Sequence, residues 1–439
     1  MTKRSGVLAR VTGIAAAVAV VASACGGTST IVSPASDTSA MPTTTLVSFY
    51  EQRVDRDPND FFSHNNLATL YLQRAREAGD VSDFTRAATA LDRSLTVLPR
   101  NNYTATAQLA TVYNARHQFD EGVRQAEQAI AADPRGAIAY GALGDADLAL
   151  GRYGEAEQAY LTMATIDPGL PSLSRLARLR ELQGQRPLAL QLWSKAIVAA
   201  TGRFPENTAW ANAELGNLYF NEGKVEQAQG QYELALSIFP GYVYGLAGLG
   251  KAYAAQGQWD KAIGFYRQAI DKIPLPEYVI ALGDVYAARG NVDDAKRQYA
   301  LMRAIDKLYQ ANGINTDLQM ALFAADHGSP ADALAKAKAA RAARPDMFAA
   351  DALAWALYQS GDYAAAMPLA QEALSLGSKD ALLHFHAGMI AYRLGDSALA
   401  RQYLEDTYRT NPNFSVQYQA QGRQVLGELS RDATPAVGR

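Results

Sequence analysis

A single cysteine, Cys25, in 439 residues excludes a disulfide framework and any multi-cysteine metal site. Histidine is scarce too, with five along the chain, and the closest two, His384 and His386, stand at i,i+2. A helical metal pair would favour i,i+4, because residues four apart share a face. Basic surplus is absent: 41 Lys and Arg against 44 Asp and Glu leave a net charge of −3, with nothing to spare for nucleic acid phosphates. The sequence also lacks a phosphate loop, a dinucleotide fingerprint, a Gly-x-Ser-x-Gly elbow and a His-Glu-x-x-His helix. What remains is 49% apolar and 19% charged, the composition of a folded globular chain rather than a disordered or fibrous one.

The one long apolar run is short for a membrane span. It extends from Val11 to Ala22 behind Lys3, Arg4 and Arg10, against the roughly 20 residues a spanning helix needs. It ends in Ala22-Ser23-Ala24-Cys25-Gly26, which resembles a bacterial lipobox, departing from it at Ala22 where Leu is commonest. The resemblance implies that residues 1–24 are a signal peptide and that Cys25 is acylated, placing the chain outside the cytoplasmic membrane on a lipid anchor. An uncleaved signal anchor is the alternative reading. Gly26 to Thr45 is rich in Gly, Ser, Thr and Pro, with one charge at Asp37, so residues 25–48 read as a flexible tether. Removing residues 1–24 leaves 38 basic residues against 44 acidic ones.

The rest is one unit repeated. The segment Leu249-Gly250-Lys251-Ala252-Tyr253, followed by Gly257, Ala262, Tyr266, Ala269 and Pro274, serves as a template. Its small residue recurs at Ala68, Ala110, Gly144, Ala177, Gly216, Gly250, Gly283, Ala321, Ala354 and Gly388, at intervals of 33 to 42 residues. A second small position keeps step from Ala87 to Ala400. Leu215 with Tyr219, Leu249 with Tyr253 and Leu282 with Tyr286 show the i,i+4 spacing of one helical face. The small residues let a neighbouring helix approach where a larger side chain would overpack. Glycines such as Gly151, Gly223 and Gly257 stand between two helices of a unit, and prolines such as Pro134, Pro240 and Pro274 close units.

This period and pattern resemble the tetratricopeptide repeat, a helix–turn–helix unit. The resemblance implies an all-α fold, a right-handed α-solenoid of about ten units over residues 49–412. Residues 413–439 read as a capping helix and short tail, since each unit buries its apolar face only against neighbours. The fourth and eighth units depart from the pattern at Arg180 and Ala324, and extra residues fall near Ala75–Asp83, Ala200–Glu206 and Lys307–Asn315.

In this family the first helix of each unit lines a concave groove that holds a peptide or partner helix. Alignment to the template places Trp210, Asn217, Phe220, Asn221, Tyr244 and Lys251 inward in the fifth and sixth units. In the ninth and tenth it places Phe348, Trp355, Tyr358, Phe385, Met389 and Tyr392, while Asn114, Asp145 and Arg178 are the polar counterparts earlier on. Large aromatics with amides suit an apolar peptide, and equally a sugar stacked on rings; packing between neighbouring units is the structural alternative. Only Asn217, Asn221 and Lys251 approach the basic cluster with which some family members grip a terminal carboxylate. The expectation is therefore a protein-binding scaffold, non-catalytic, without cofactor or metal, anchored at an envelope membrane and serving envelope assembly or secretion. A carbohydrate-binding surface lipoprotein is the second reading, and an enzyme with an unrecognised site a third.

Overall fold

The computed structural model describes residues 41–200 and 204–432, which form 22 α-helices and no strand. Cys25, the signal segment, the tether as far as residue 40 and the tail from residue 433 lie outside the described residues. Helix α1 (Thr43–Arg56) precedes ten helix pairs. The first five units are α2 (Phe61–Ala78) with α3 (Ser82–Val97), α4 (Tyr103–Ala115) with α5 (Phe119–Ala132), α6 (Ala137–Ala149) with α7 (Tyr153–Ile166), α8 (Leu170–Leu182) with α9 (Arg186–Ala199), and α10 (Pro205–Asn221) with α11 (Val225–Ile238). The next five are α12 (Val243–Ala255) with α13 (Trp259–Lys272), α14 (Pro276–Ala288) with α15 (Val292–Ala311), α16 (Asp317–His327) with α17 (Pro330–Ala343), α18 (Met347–Gln359) with α19 (Tyr363–Ala373), and α20 (Ala381–Arg393) with α21 (Ser397–Thr410). Helix α22 (Gln419–Asp432) follows.

Two expected boundaries move. Residues 43–48, read as tether, belong to α1, because Leu46, Val47, Tyr50 and Val54 make a helical stripe that packs on the cluster around Leu67, Tyr71 and Leu91. Residues 413–418, read as part of the cap, are not helical; the cap starts at Gln419 and buries Val425 and Leu429 beside Leu404.

The repeated small residue is explained by its partner sixteen positions on. A Cβ at Gly144 would stand 2.4 Å from the ring of Tyr160, one at Gly216 2.6 Å from Tyr232, and one at Gly283 2.4 Å from Tyr299. The residue after each glycine then accepts the tyrosine hydroxyl: Asp145 at 3.0 Å, Asn217 at 2.9 Å and Asp284 at 2.9 Å. Where the small residue is Ala110, Ala321 or Ala354, position sixteen is Ala126, Ala337 or Ala370, all buried. In these units volume is traded across the pair, whereas Ala68 and Ala177 have Phe84 and Trp193 at the same spacing.

Left-handed glycines end the first helix in eight of the units, for example Gly151 at φ 71° and Gly223 at φ 72°. Unit 2 has His117 there, at φ 59°. Gly328 of unit 8 is an exception at φ −123°, and Ser329 caps α17 instead through its side chain.

The solenoid winds beyond one full turn, so that units 1–5 meet units 6–10. His117 Nδ1 donates to the Asn315 carbonyl at 2.5 Å, and the Met347 amide donates to the Tyr153 hydroxyl at 2.7 Å. Arg186 Nη2 donates to the Lys379 carbonyl at 2.7 Å, and Asn411 Nδ2 to the Phe220 carbonyl at 2.9 Å. The turn inside units 2 to 5 therefore meets the linker that follows the unit five places later. Two of the predicted insertions meet in this seam. The long α15 carries Met302, Ile305 and Tyr309 into a cluster with Val81, from the lengthened turn of unit 1.

Candidate functional site

The inner surface divides into a polar stretch, an aromatic stretch and a small cavity. The polar stretch comes from the first helices of units 4 to 6. Lys251 Nζ donates to Asn217 Oδ1 at 2.9 Å and lies 4.6 Å from the Phe220 ring centroid. Asn217 Nδ2 reaches Glu214 at 3.4 Å, Asn221 Nδ2 donates to Glu181 at 2.9 Å, and Arg178 donates to Glu181 at 2.6 Å. Burial pushes the Lys251 ammonium down to about 8, with Glu214 and Glu181 pulling the other way. Burial likewise raises the Glu214 carboxyl, opposed by Arg178 and Lys251. Lys251 thus donates to Asn217, while the two asparagine amides donate to Glu214 and Glu181. A ligand carboxylate would meet two acids there, which disfavours a basic clamp.

The aromatics expected on an open groove are instead covered. Trp210 is 7% exposed and packs edge-to-face on Trp193 at 5.5 Å, inside the core between units 4 and 5. Phe220 is in the same core, and Tyr244 is half-buried between Tyr242 and Tyr278. Trp355 is 1% exposed, stacked on Tyr358 at 4.5 Å and on His386 at 4.1 Å. Phe385 and Met389 are buried in the same cluster, and the Tyr392 hydroxyl donates to Glu428 of α22 at 2.8 Å. Trp210 and Phe220 fill the packing between neighbouring units, the structural alternative, whereas Trp355 and Phe385 are covered by the segment before α22. His386 is held by Asp351 at 2.9 Å and does not act with His384.

Phe348 is half-buried and joins the polar inward residues of units 2 to 4. Asn114, Asp145 and Arg178 line a cavity of about 80 Å³ with His117, Tyr153, Arg344 and Phe348, between the two windings. Its charges are internally matched. Asp145 accepts two bonds of 2.8 Å from the buried Arg175, and Arg344 pairs with Asp346. Among the described residues no cluster of three or more His, Cys, Asp or Glu could hold a metal, and no helix is long and apolar enough to cross a membrane.

Sequence reasoning missed Asp326 and Tyr418. The Tyr418 hydroxyl and Trp355 Nε1, the latter at 2.8 Å, both donate to Asp326 Oδ1. The signal for Asp326 was present, since it lies five residues after Ala321 as Asn221 lies five after Gly216. Tyr418 lies outside the repeat and had no register to betray it.

The fold and this inner surface define an all-α repeat solenoid. A tetratricopeptide-repeat family profile matches residues 107–171, 213–275 and 352–413, and a second one matches 276–300. The chain carries tetratricopeptide repeats. It is 25% identical over 275 residues to the TPR repeat-containing protein YpiA of Bacillus subtilis, covering 59% of this chain and 53% of that protein. It thus spans about half the length of the relative it matches. PilW, a widely conserved type IV pilus biogenesis factor, aligns at 17% identity over 46% of this chain and 92% of its own, with a TM-score of 0.39. A tetratricopeptide repeat protein of Parabacteroides merdae aligns at 14% identity over 62% of this chain and 96% of its own, with a TM-score of 0.40.

Proposed function

We propose that this protein is a non-catalytic scaffold that binds a partner protein and is held at the outer face of a bacterial membrane by lipid on Cys25. The observation that carries the binding part is the run of ten helix pairs, several of which match the tetratricopeptide repeat, an architecture whose extended surfaces serve recognition. The anchoring part rests on Cys25, the only cysteine, following small residues at the end of a short apolar run. Diacylation at that residue gives the two-chain attachment that stable membrane binding requires. A role in envelope assembly or secretion follows from that location. The sugar-binding reading loses its support, because the rings that would stack on a sugar, Trp210, Trp355 and Phe385, are buried.

Two measurements test the proposal. Cys25→Ala should move the protein from the membrane fraction to the soluble one, or leave an unprocessed precursor; an unchanged mass and membrane fraction would remove the anchor. Cross-linking in intact membranes should trap a discrete partner protein on the repeat array, and its absence across cross-linker lengths would remove the scaffold.

A further inference from the structure

The link between α21 and α22 is long, and its contacts reach several units. Residues 133–136 suffice to connect α5 to α6, and residues 239–242 connect α11 to α12. Between α21 and α22 there are eight non-helical residues, 411–418. They contact units of both windings. Asn411 Nδ2 donates to Phe220 of unit 5, and Pro412 lies against the turn glycine Gly223. Val416 packs on the apolar cluster of units 6 and 7, around Leu246, Tyr278 and Tyr286. Tyr418 is 9% exposed, and its hydroxyl donates to Asp326 of unit 8. Its ring stands edge-on to Trp355 of unit 9 at 5.5 Å and stacks on Phe385 of unit 10 at 5.1 Å, where Phe414 also packs at 5.2 Å.

A short non-helical segment that touches several units, anchoring two aromatics and one hydroxyl, has the footprint of a bound peptide. Asp326 supports this. Burial raises its carboxyl, and the Tyr418 hydroxyl and Trp355 indole are the donors that hold the charged form. A site of this kind distinguishes Tyr from Phe, because losing the hydroxyl leaves an acceptor without one of its partners.

We propose that residues 413–418 are an internal ligand occupying the distal peptide site, and that the partner enters by presenting an aromatic-x-aliphatic-x-tyrosine segment that replaces Phe414-Ser415-Val416-Gln417-Tyr418. The inference rests on the protein-binding reading above. It assigns the aromatics of units 9 and 10 a role compatible with their burial: they face a displaceable segment of the same chain. Replacement exchanges one set of ring contacts and one hydroxyl bond for an equivalent set, so the two forms lie close in free energy.

The probe is a fluorescein-labelled synthetic peptide of residues 411–420, followed by anisotropy on the full chain. Tyr418→Ala, which empties the site, should bind the peptide at least tenfold more tightly than the wild type. Adding Asp326→Asn should reverse most of that gain, and a probe with Phe at the tyrosine should bind more weakly. If Tyr418→Ala lowers helicity, Tyr418→Phe carries the test: it keeps the ring, removes only the hydroxyl bond, and should still raise binding several-fold. Equal binding, or none, by wild type and folded variants overturns the proposal. The scaffold reading fails separately. A membrane cross-link that the peptide does not compete away leaves the scaffold standing and removes the internal ligand, whereas peptide binding without any cross-linked partner does the reverse.

Discussion

Asn411 donates its side-chain amide to the carbonyl of Phe220, 191 residues earlier and 2.9 Å away. Phe220 stands one residue before the end of the first helix of unit 5, and its carbonyl also accepts from the Gly223 amide at 2.8 Å. Asn411 is 2% exposed, so the bond is made out of water between the two windings of the solenoid. Asn411→Ala removes the bond between the windings while the Gly223 amide still serves the carbonyl, a loss of about 0.5–1.5 kcal/mol. Hydrogen exchange should show the damage at both ends of the contact, near residue 220 and in the segment before α22. Exchange changes confined to residues near 411 would mean that the windings do not depend on each other there.

Glycines at the seam separate two costs. Gly184 and Gly257 both have φ 70°, so alanine is strained at either by about 1–3 kcal/mol. A Cβ at Gly184 would also stand 2.2 Å from the Gly377 carbonyl oxygen, whereas at Gly257 it meets nothing within 4 Å. Gly184→Ala should therefore lower the melting temperature well beyond Gly257→Ala. Equal losses would show that the windings separate at little cost.

Along α12, the space left by each glycine sets a ranking. A Cβ at Gly248 would fall 2.3 Å from the Tyr232 ring, while one at Gly250 would lie 3.0 Å from the Tyr266 ring. Gly248→Ala should cost more than Gly250→Ala, and Gly250→Leu should overpack by about 1–3 kcal/mol or more. Thermal unfolding of the three variants checks the order, and a reversal would mean that Tyr232 yields more readily than Tyr266.

The buried pair of Asp145 and Arg175, at 6% and 2% side-chain exposure, makes a further case. Arg175→Met strands a carboxylate that also accepts from Tyr160, and should cost about 3–5 kcal/mol. Adding Asp145→Leu should recover a large share of that loss in urea denaturation, because no charge is then left buried. Absence of recovery would show that the pair is fixing geometry rather than neutralising charge.

Burial and the nearby Arg344 charge push the His117 imidazole down to about 3 from its ordinary 6.5, and burial lowers His384 in the same direction. Between pH 6.5 and 3 the unfolded chain binds a proton at His117 that the folded chain refuses. Its contribution is therefore intact above pH 6.5 and declines as pH falls through that window, at up to about 1.4 kcal/mol per pH unit. Denaturant midpoints from pH 7 to pH 5 should fall less steeply for His117→Gln than for the wild type. Identical slopes would assign the acid sensitivity to other groups.

The repeat itself was legible because its causes are local. A small residue at one position and a tyrosine sixteen later lie within one helical hairpin, so Gly144 with Tyr160 and Gly216 with Tyr232 can be read in any unit without knowing where the others go. The same holds for the glycines that end the first helices and for the polar residues that follow the small position. Lys251 and Asn217, at equivalent places in adjacent repeats, bond at 2.9 Å, whereas Asn221 donates to Glu181. What periodicity could not supply was how far the solenoid winds. That depends on small angles summed over ten units, and only their sum brings His117 to Asn315, Phe220 to Asn411 and Tyr418 to Asp326. Sequence alone thus determined the unit and its number, and set an expectation for its inner face. The tertiary structure decided which of that face is covered, because contacts between windings join residues some 90 to 200 positions apart that share no repeat register.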